Sequence, residues 1–297
     1  MKNVLLLSGH DIDILKDSAL NAEITDVYKK GVFIKILKRF KKFLPYTFKE
    51  WKNHLERYDL IILFDTYYND GIIDYIHKLN SNIKIILYCW NSIREISSRV
   101  NIDKILNDAR IEIWSYNKMD CIKYSLIYNP QFWNANLLNN DNHYNNIYDI
   151  TFIGSPKKRL NILEKMNYYC NENNLNSYFY ITNYECEFNK NKNNEFMDYS
   201  VYVNDIACRS ACILDLVTDD NYGLTLRPLE SLFLKKKLIT NYKEIIYEPF
   251  YNSNNIYILD EDNRDLKKFL NTPVVDIDKS IVDYYDCKSW FKRFVDR

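Results

Sequence analysis

The chain has 297 residues, 47% hydrophobic and 27% charged, with 40 Lys and Arg against 40 Asp and Glu. That length suits one large or two medium domains with real cores, and a net charge of zero gives the chain as a whole no electrostatic case for nucleic acid. Seven Cys without a CxxC pair and four dispersed His supply neither a disulfide framework nor zinc-ligand spacing, which points to reduced thiols and a cytoplasmic protein.

In chain order, the first half alternates strand-like and helix-like patterns. The apolar run at Val4–Leu7, closed by Ser8-Gly9-His10, predicts a buried parallel strand. It is too short for a signal peptide, and no later segment approaches the 18 apolar residues of a membrane span. Further strands are expected at Leu60–Phe64, closed by Asp65, at Ile83–Cys89 and at Ile111–Trp114, with a helix carrying Ile72, Ile73, Ile76 and Leu79 between the first two. Strands separated by helices indicate βαβ units and a parallel, doubly wound sheet.

The Asn-dense stretch Asn139–Asn146 reads as an interdomain linker or long loop, here residues 139–147. Beyond it the alternation restarts: a strand at Asp149–Ile153, a tight Gly154-Ser155-Pro156 loop and a helix at Arg159–Tyr169. Strands then follow at Tyr178–Ile181, Cys212–Leu216, Lys237–Ile239 and Ile256–Leu259, with helices at Val201–Ser210, Leu226–Leu234 and Tyr284–Val295. Two α/β domains are therefore expected, residues 1–138 and 148–297, the last helix closing the chain and crossing back to the first domain.

One segment stands apart. Residues 29–58 hold ten Lys or Arg against two Glu, and Phe33, Ile36, Leu37, Phe40 and Phe43 recur at helical spacing. The plainer expectation is a surface helix with its apolar stripe on the sheet and solvated lysines outside. The alternative is a basic amphipathic helix lying on an anionic membrane surface.

The chemistry concentrates between Cys212 and Asn241: strand, glycine-bearing loop, helix start, strand. Gly223 lets a ligand approach the backbone. Thr225 is a good N-cap and Pro228 is at home in a first helical turn. The helix start then presents its positive dipole end to an anion. Arg227 adds a bidentate fork for phosphate oxygens, and Glu230 a carboxylate that accepts hydrogen bonds from ribose hydroxyls. The bland alternative is an i, i+3 pair between Arg227 and Glu230 on a helix surface, with Gly223 an ordinary loop glycine and Arg159 a first-turn surface residue. Thr218-Asp219-Asp220 and Asp260-Glu261-Asp262 invite a Mg²⁺ or Mn²⁺ reading; turn chemistry explains acids in such loops equally well.

The segment Gly223–Leu232, followed by Lys236-Lys237-Leu238-Ile239-Thr240-Asn241, resembles the donor-binding segment of GT-B-fold glycosyltransferases of bacterial lipopolysaccharide and capsule assembly, and of the related spore-maturation-type enzymes. Tyr148–Arg159, Trp114–Tyr124 with Asn129-Pro130, and Asp286–Phe294 resemble other pieces of that family, so the likeness spans roughly residues 60 to 297. It implies two Rossmann-like domains whose parallel sheets face a central cleft. Arg227 would bind the diphosphate and Glu230 the ribose, with Gly154, Arg159, Gly223 and Thr225 near the phosphates.

The implied reaction moves a sugar from a nucleotide-sugar donor to a hydroxyl of a surface glycan, with no cofactor beyond the donor and no metal. The implied partners are that donor and a glycan or lipid-linked glycan acceptor, not nucleic acid. Contact through residues 29–58 would place the enzyme peripherally at the inner face of the plasma membrane. For the catalytic base, His10, Asp11 and Asp65 each follow a strand end. A sugar-nucleotide epimerase of the same fold and a non-catalytic nucleotide-binding subunit are the alternatives.

Overall fold

A computed structural model describes residues 2–8, 13–15, 18–138, 145–156, 158–192, 195–218 and 223–297. The described residues form two compact units. The first comprises residues 1–13, 19–130 and 290–297; the second comprises residues 14–18 and 131–289. Residues 131–138 and 145–147 thus belong to the second unit, and the final eight residues to the first.

The first unit contains β1 (Val4–Ser8), β2 (Glu23–Asp26), α1 (Val32–Leu37), α2 (Leu44–Thr47), β3 (Leu60–Phe64), α3 (Asp70–Leu79), β4 (Lys84–Cys89), α4 (Ile93–Ser97), α5 (Ile102–Leu106), β5 (Ile111–Ser115), α6 (Lys118–Tyr124) and β6 (Ile127–Tyr128). Its six strands pair in the order β2-β1-β3-β4-β5-β6, all parallel. Every residue of β1 and β3 is buried, as expected of continuous apolar strands covered on both faces. The edge strand β2, Glu-Ile-Thr-Asp, buries nothing completely and carries one apolar residue, so no hydrophobic pattern announces it.

The basic segment departs from the plainer expectation. Its helix stops at Leu37, and no residue of α1 is buried. Instead of packing on the sheet, Val32, Phe33, Ile36, Phe40 and Phe43 are exposed. Anchorage comes from the residues after the stripe: Leu44, Thr47, Phe48 and Trp51 are buried. A Cβ at Gly71, in the first turn of α3, would come within 2.5 Å of Leu44 Cδ2. Glycine there lets α2 approach α3 closely.

The second unit contains β7 (Tyr148–Gly154), α7 (Leu160–Glu172), β8 (Ser177–Ile181), α8 (Tyr199–Val201) running into a π-helical stretch at Tyr202–Ala207, β9 (Ser210–Asp215), α9 (Leu226–Phe233), β10 (Lys237–Thr240), β11 (Ile256–Ile258), α10 (Leu266–Asn271), α11 (Lys279–Tyr284) and the first residues of α12 (Cys287–Val295). Its strands pair in the order β11-β10-β9-β7-β8, again all parallel. The core beneath them joins Ile150, Phe152, Leu163, Met166, Phe179, Cys212 and Leu214.

The closing helix expected over Tyr284–Val295 is broken in two. Tyr285 C=O accepts from Trp133 N–H at 2.9 Å, and Cys287 N–H donates to Trp133 C=O at 2.8 Å, so these bonds to another segment replace helical ones. The last turns of α12 lie in the first unit, where Trp290 is fully buried with its ring centroid 5.1 Å from Tyr88 and 5.9 Å from Phe64. Among the described residues no helix is long and apolar enough to cross a membrane, and all seven cysteines are free.

Candidate functional site

In the second sheet the chain runs outward from β7 to β8, then returns past β7 to β9 and continues to β10 and β11. The reversal falls between β7 and β9. In open α/β sheets such a switch point, at the carboxyl ends of the strands, is where ligands bind, because the following loops splay apart there. The residues singled out in sequence converge on it: Gly154 ends β7, Arg159 precedes α7, Gly223 is buried in the loop after β9, and Thr225, Arg227 and Glu230 begin α9.

Gly154 has φ +145°, a conformation that L side chains rarely adopt, while a Cβ there would meet nothing nearer than Phe152 at 3.8 Å. The backbone turn, not crowding, therefore demands glycine. Thr225 caps α9 as expected: its Oγ1 accepts from Arg227 N–H at 3.3 Å. Pro228 has no N–H, so an anion at this helix start would meet chiefly the dipole and the guanidinium.

Arg227 crosses the switch point. Its guanidinium pairs with Glu230, donates to Ile153 C=O at 3.3 Å and lies over the Tyr202 ring, 4.7 Å from its centroid, yet 22% of the side chain remains exposed. Burial works against its charge, but Glu230 and the neighbouring tyrosines outweigh that and hold its pKa above the usual arginine value. Arg159 spans the same gap from the other side, donating to Leu216 C=O after β9 and to Ser155 C=O after β7. Its Nε is buried with no partner among the described residues. Two guanidiniums thus flank one loop junction, each held by bonds to the strands or helix beside it.

Sequence reasoning missed what supports them. Asp215 closes β9 with its carboxylate buried, accepting from Thr225 Oγ1 at 2.8 Å and Thr240 Oγ1 at 3.0 Å. Burial pushes its pKa up, opposed by the two threonine hydroxyls and by Arg227 and Arg159. The signal was an Asp ending an otherwise apolar strand. Glu230 has no exposed side-chain surface. Besides Arg227 it accepts from Tyr199 Oη and Tyr202 Oη, each at 2.8 Å, and Trp133 Nε1 donates to Tyr199 Oη at 2.9 Å. The π-helical stretch begins at Tyr202, close after Tyr199, and brings both phenols onto this carboxylate. Such stretches often mark functional sites. The i, i+3 pairing is therefore present, but as a buried cluster and not a surface decoration.

Among the proposed bases, His10 and Asp11 lie outside the described residues. Asp65 follows β3 with its side chain wholly buried, accepting from Trp90 N–H at 2.6 Å, Asn91 N–H at 3.2 Å, Asn91 Nδ2 at 2.9 Å and Arg99 at 2.9 Å. Burial raises its pKa and these donors oppose the rise. Those bonds tie the loop after β4 to the end of β3. Of the acidic loops, Asp219 and Asp220 lie outside the described residues, while Glu261 pairs with Lys243 and Asp262 with Arg264. Among the described residues no three His, Cys, Asp or Glu side chains gather as a metal-ligand group.

No protein-family model and no curated protein sequence matches this chain. Solved structures match along nearly its whole length. An alpha-glucosyltransferase in complex with UDP and a 13-mer DNA containing a HMU base superposes with a TM-score of 0.55 at 10% identity, covering 98% of this chain and 91% of that one. Sucrose-phosphate synthase from Thermosynechococcus elongatus gives 0.53 at 9% identity, covering 100% and 98%. An alpha-glucosyltransferase with UDP and DNA containing a central A:G mismatch gives 0.50 at 13%, covering 99% and 89%. At such identities the likeness defines the class of fold alone, two Rossmann-like units of the GT-B type.

Proposed function

We propose that this chain is a nucleotide-sugar-dependent glycosyltransferase that binds its donor at the β7/β9 switch point of the second unit. The observation that carries the reading is the pair of guanidiniums, Arg227 and Arg159, at a helix start on a GT-B fold. Positive charge held where a diphosphate departs stabilises the leaving group as its negative charge develops, and it does so without a metal ion. Arg227 is the group we assign to the diphosphate, with Arg159 beside it and Gly154, Gly223 and Thr225 shaping the approach. Glu230 was expected on the ribose; its buried bonds to Tyr199, Tyr202 and Arg227 favour a positioning role, holding the guanidinium in place.

The acceptor we propose is a hydroxyl of a bacterial surface glycan, of the lipopolysaccharide, lipooligosaccharide or capsule kind, presented on a lipid at the inner face of the plasma membrane. A net charge of zero favours such an acceptor over DNA.

The test is release of free nucleoside diphosphate from a panel of nucleotide-sugars, with and without glycan acceptors and with EDTA present. Acceptor-dependent release in EDTA supports the reading, and release only with Mn²⁺ restored would refute metal independence. Donor conversion without acceptor would mean an epimerase. Nucleotide binding without turnover would mean a binding subunit, the second reading, which the wholly buried Asp65 favours.

A further inference from the structure

The exposed apolar stripe of the first unit has no covering element within that unit. Val32 is 75% exposed, Phe33 81% and Phe40 56%. Phe40, Phe43 and Tyr46 continue the patch as a chain of rings, centroids 6.4 and 6.5 Å apart. Exposed large side chains in such a run mark a surface made for contact.

The exposed charges around it are mostly basic. Lys29, Lys30, Lys35, Arg39 and Lys42 are exposed, and of these only Lys29 has an acidic partner among the described residues, Glu50 at 3.7 Å. Lys41 and Lys49 are tied down by Asp74 and Asp26, each at 2.6 Å.

We propose that the face built from α1, the turn after it and α2 docks on an anionic lipid bilayer. Large apolar tips ringed by unpaired cations match an interface in which acyl chains lie beneath negative headgroups, and each half of the pattern then has its counterpart. A second copy of the chain would set these cations against their own kind. A nucleic acid would satisfy the lysines and leave Val32, Phe33 and Ile36 in water. Docking deepens the lipid-linked-acceptor reading and rests on it for its purpose, because a bilayer surface concentrates such an acceptor.

The test is flotation of the full chain with phosphatidylcholine vesicles, with and without phosphatidylglycerol. Binding is expected to the anionic vesicles, to weaken as salt rises, and to fall by about tenfold or more in the double variant Phe33→Ser, Phe40→Ser. Lys35→Glu with Lys42→Glu is expected to lower it comparably. Both pairs are exposed, so their melting should match the parent, and any nucleotide-induced stabilisation should be unchanged, which separates this surface from the donor site. Absence of binding to anionic vesicles, or binding indifferent to Phe33 and Phe40, would overturn the proposal. So would a concentration-dependent dimer that the Phe variant abolishes, or binding to duplex DNA in place of vesicles.

Discussion

Glu230 is the most informative residue to perturb, because its carboxylate meets three donors and has no exposed surface. Glu230→Ala leaves the Arg227 charge without its partner and two phenols without their acceptor. Breaking a buried ion pair from one side destabilises by about 3–5 kcal/mol. The 22% exposure of Arg227 and its contacts to Ile153 C=O and the Tyr202 ring cushion the loss, placing it toward the lower end. At roughly 2–4 °C per kcal/mol for a unit of this size, that lowers Tm by on the order of 10 °C. Tyr202→Phe removes one hydrogen bond to a charged acceptor and should lower stability by about 1.5–3 kcal/mol. Calorimetry of the full chain measures both, and nucleotide titration of Tyr202→Phe, which keeps the guanidinium, reads its positioning separately. A Glu230→Ala protein melting with the parent would refute the buried cluster.

Other consequences are checked in the same way. Gly154→Ala has space for its methyl but not the backbone angle, so denaturant unfolding should show a loss of about 1–3 kcal/mol. Burial raises the folded pKa of Asp215 above its unfolded value, so its contribution to stability is fully present below the ordinary carboxyl range, near pH ~4, and is lost as pH rises through the folded value. Asp215→Asn should therefore gain stability relative to the parent as pH rises from about 4; midpoints running parallel with pH would contradict this. Trp290→Ala removes an indole buried against Tyr88 and Phe64 and should destabilise by about 3–5 kcal/mol, read by the same denaturant titration.

Much of the fold was legible because buried parallel strands are written as apolar runs: Leu60–Phe64 reads off directly, and the runs at β1, β4 and β9 differ from the strands by a residue or two. The edge strand β2 has no such run, since one face of its ladder is unpaired and its side chains are partly solvated. The stripe from Phe33 to Phe43 showed helical spacing, but spacing says which residues share a face and not what that face meets. The structure leaves it open. At the switch point, Thr225 and Pro228 announced a helix start through local chemistry. Asp215 and the tyrosines on Glu230 depend on partners 10 to 31 residues away, and no local pattern encodes such meetings.

A nucleotide site built on Arg227 is open to a direct thermal-shift measurement. UDP, GDP, CMP, ADP and dTDP, with their common sugars, would be added in EDTA to the parent chain and to Arg227→Ala. A ligand at about 100 times its dissociation constant stabilises by roughly 2.7 kcal/mol, which is a few degrees at this size. One nucleotide is expected to give a shift that persists in EDTA and disappears in the variant. A shift that survives loss of Arg227, or none with any nucleotide, would contradict it.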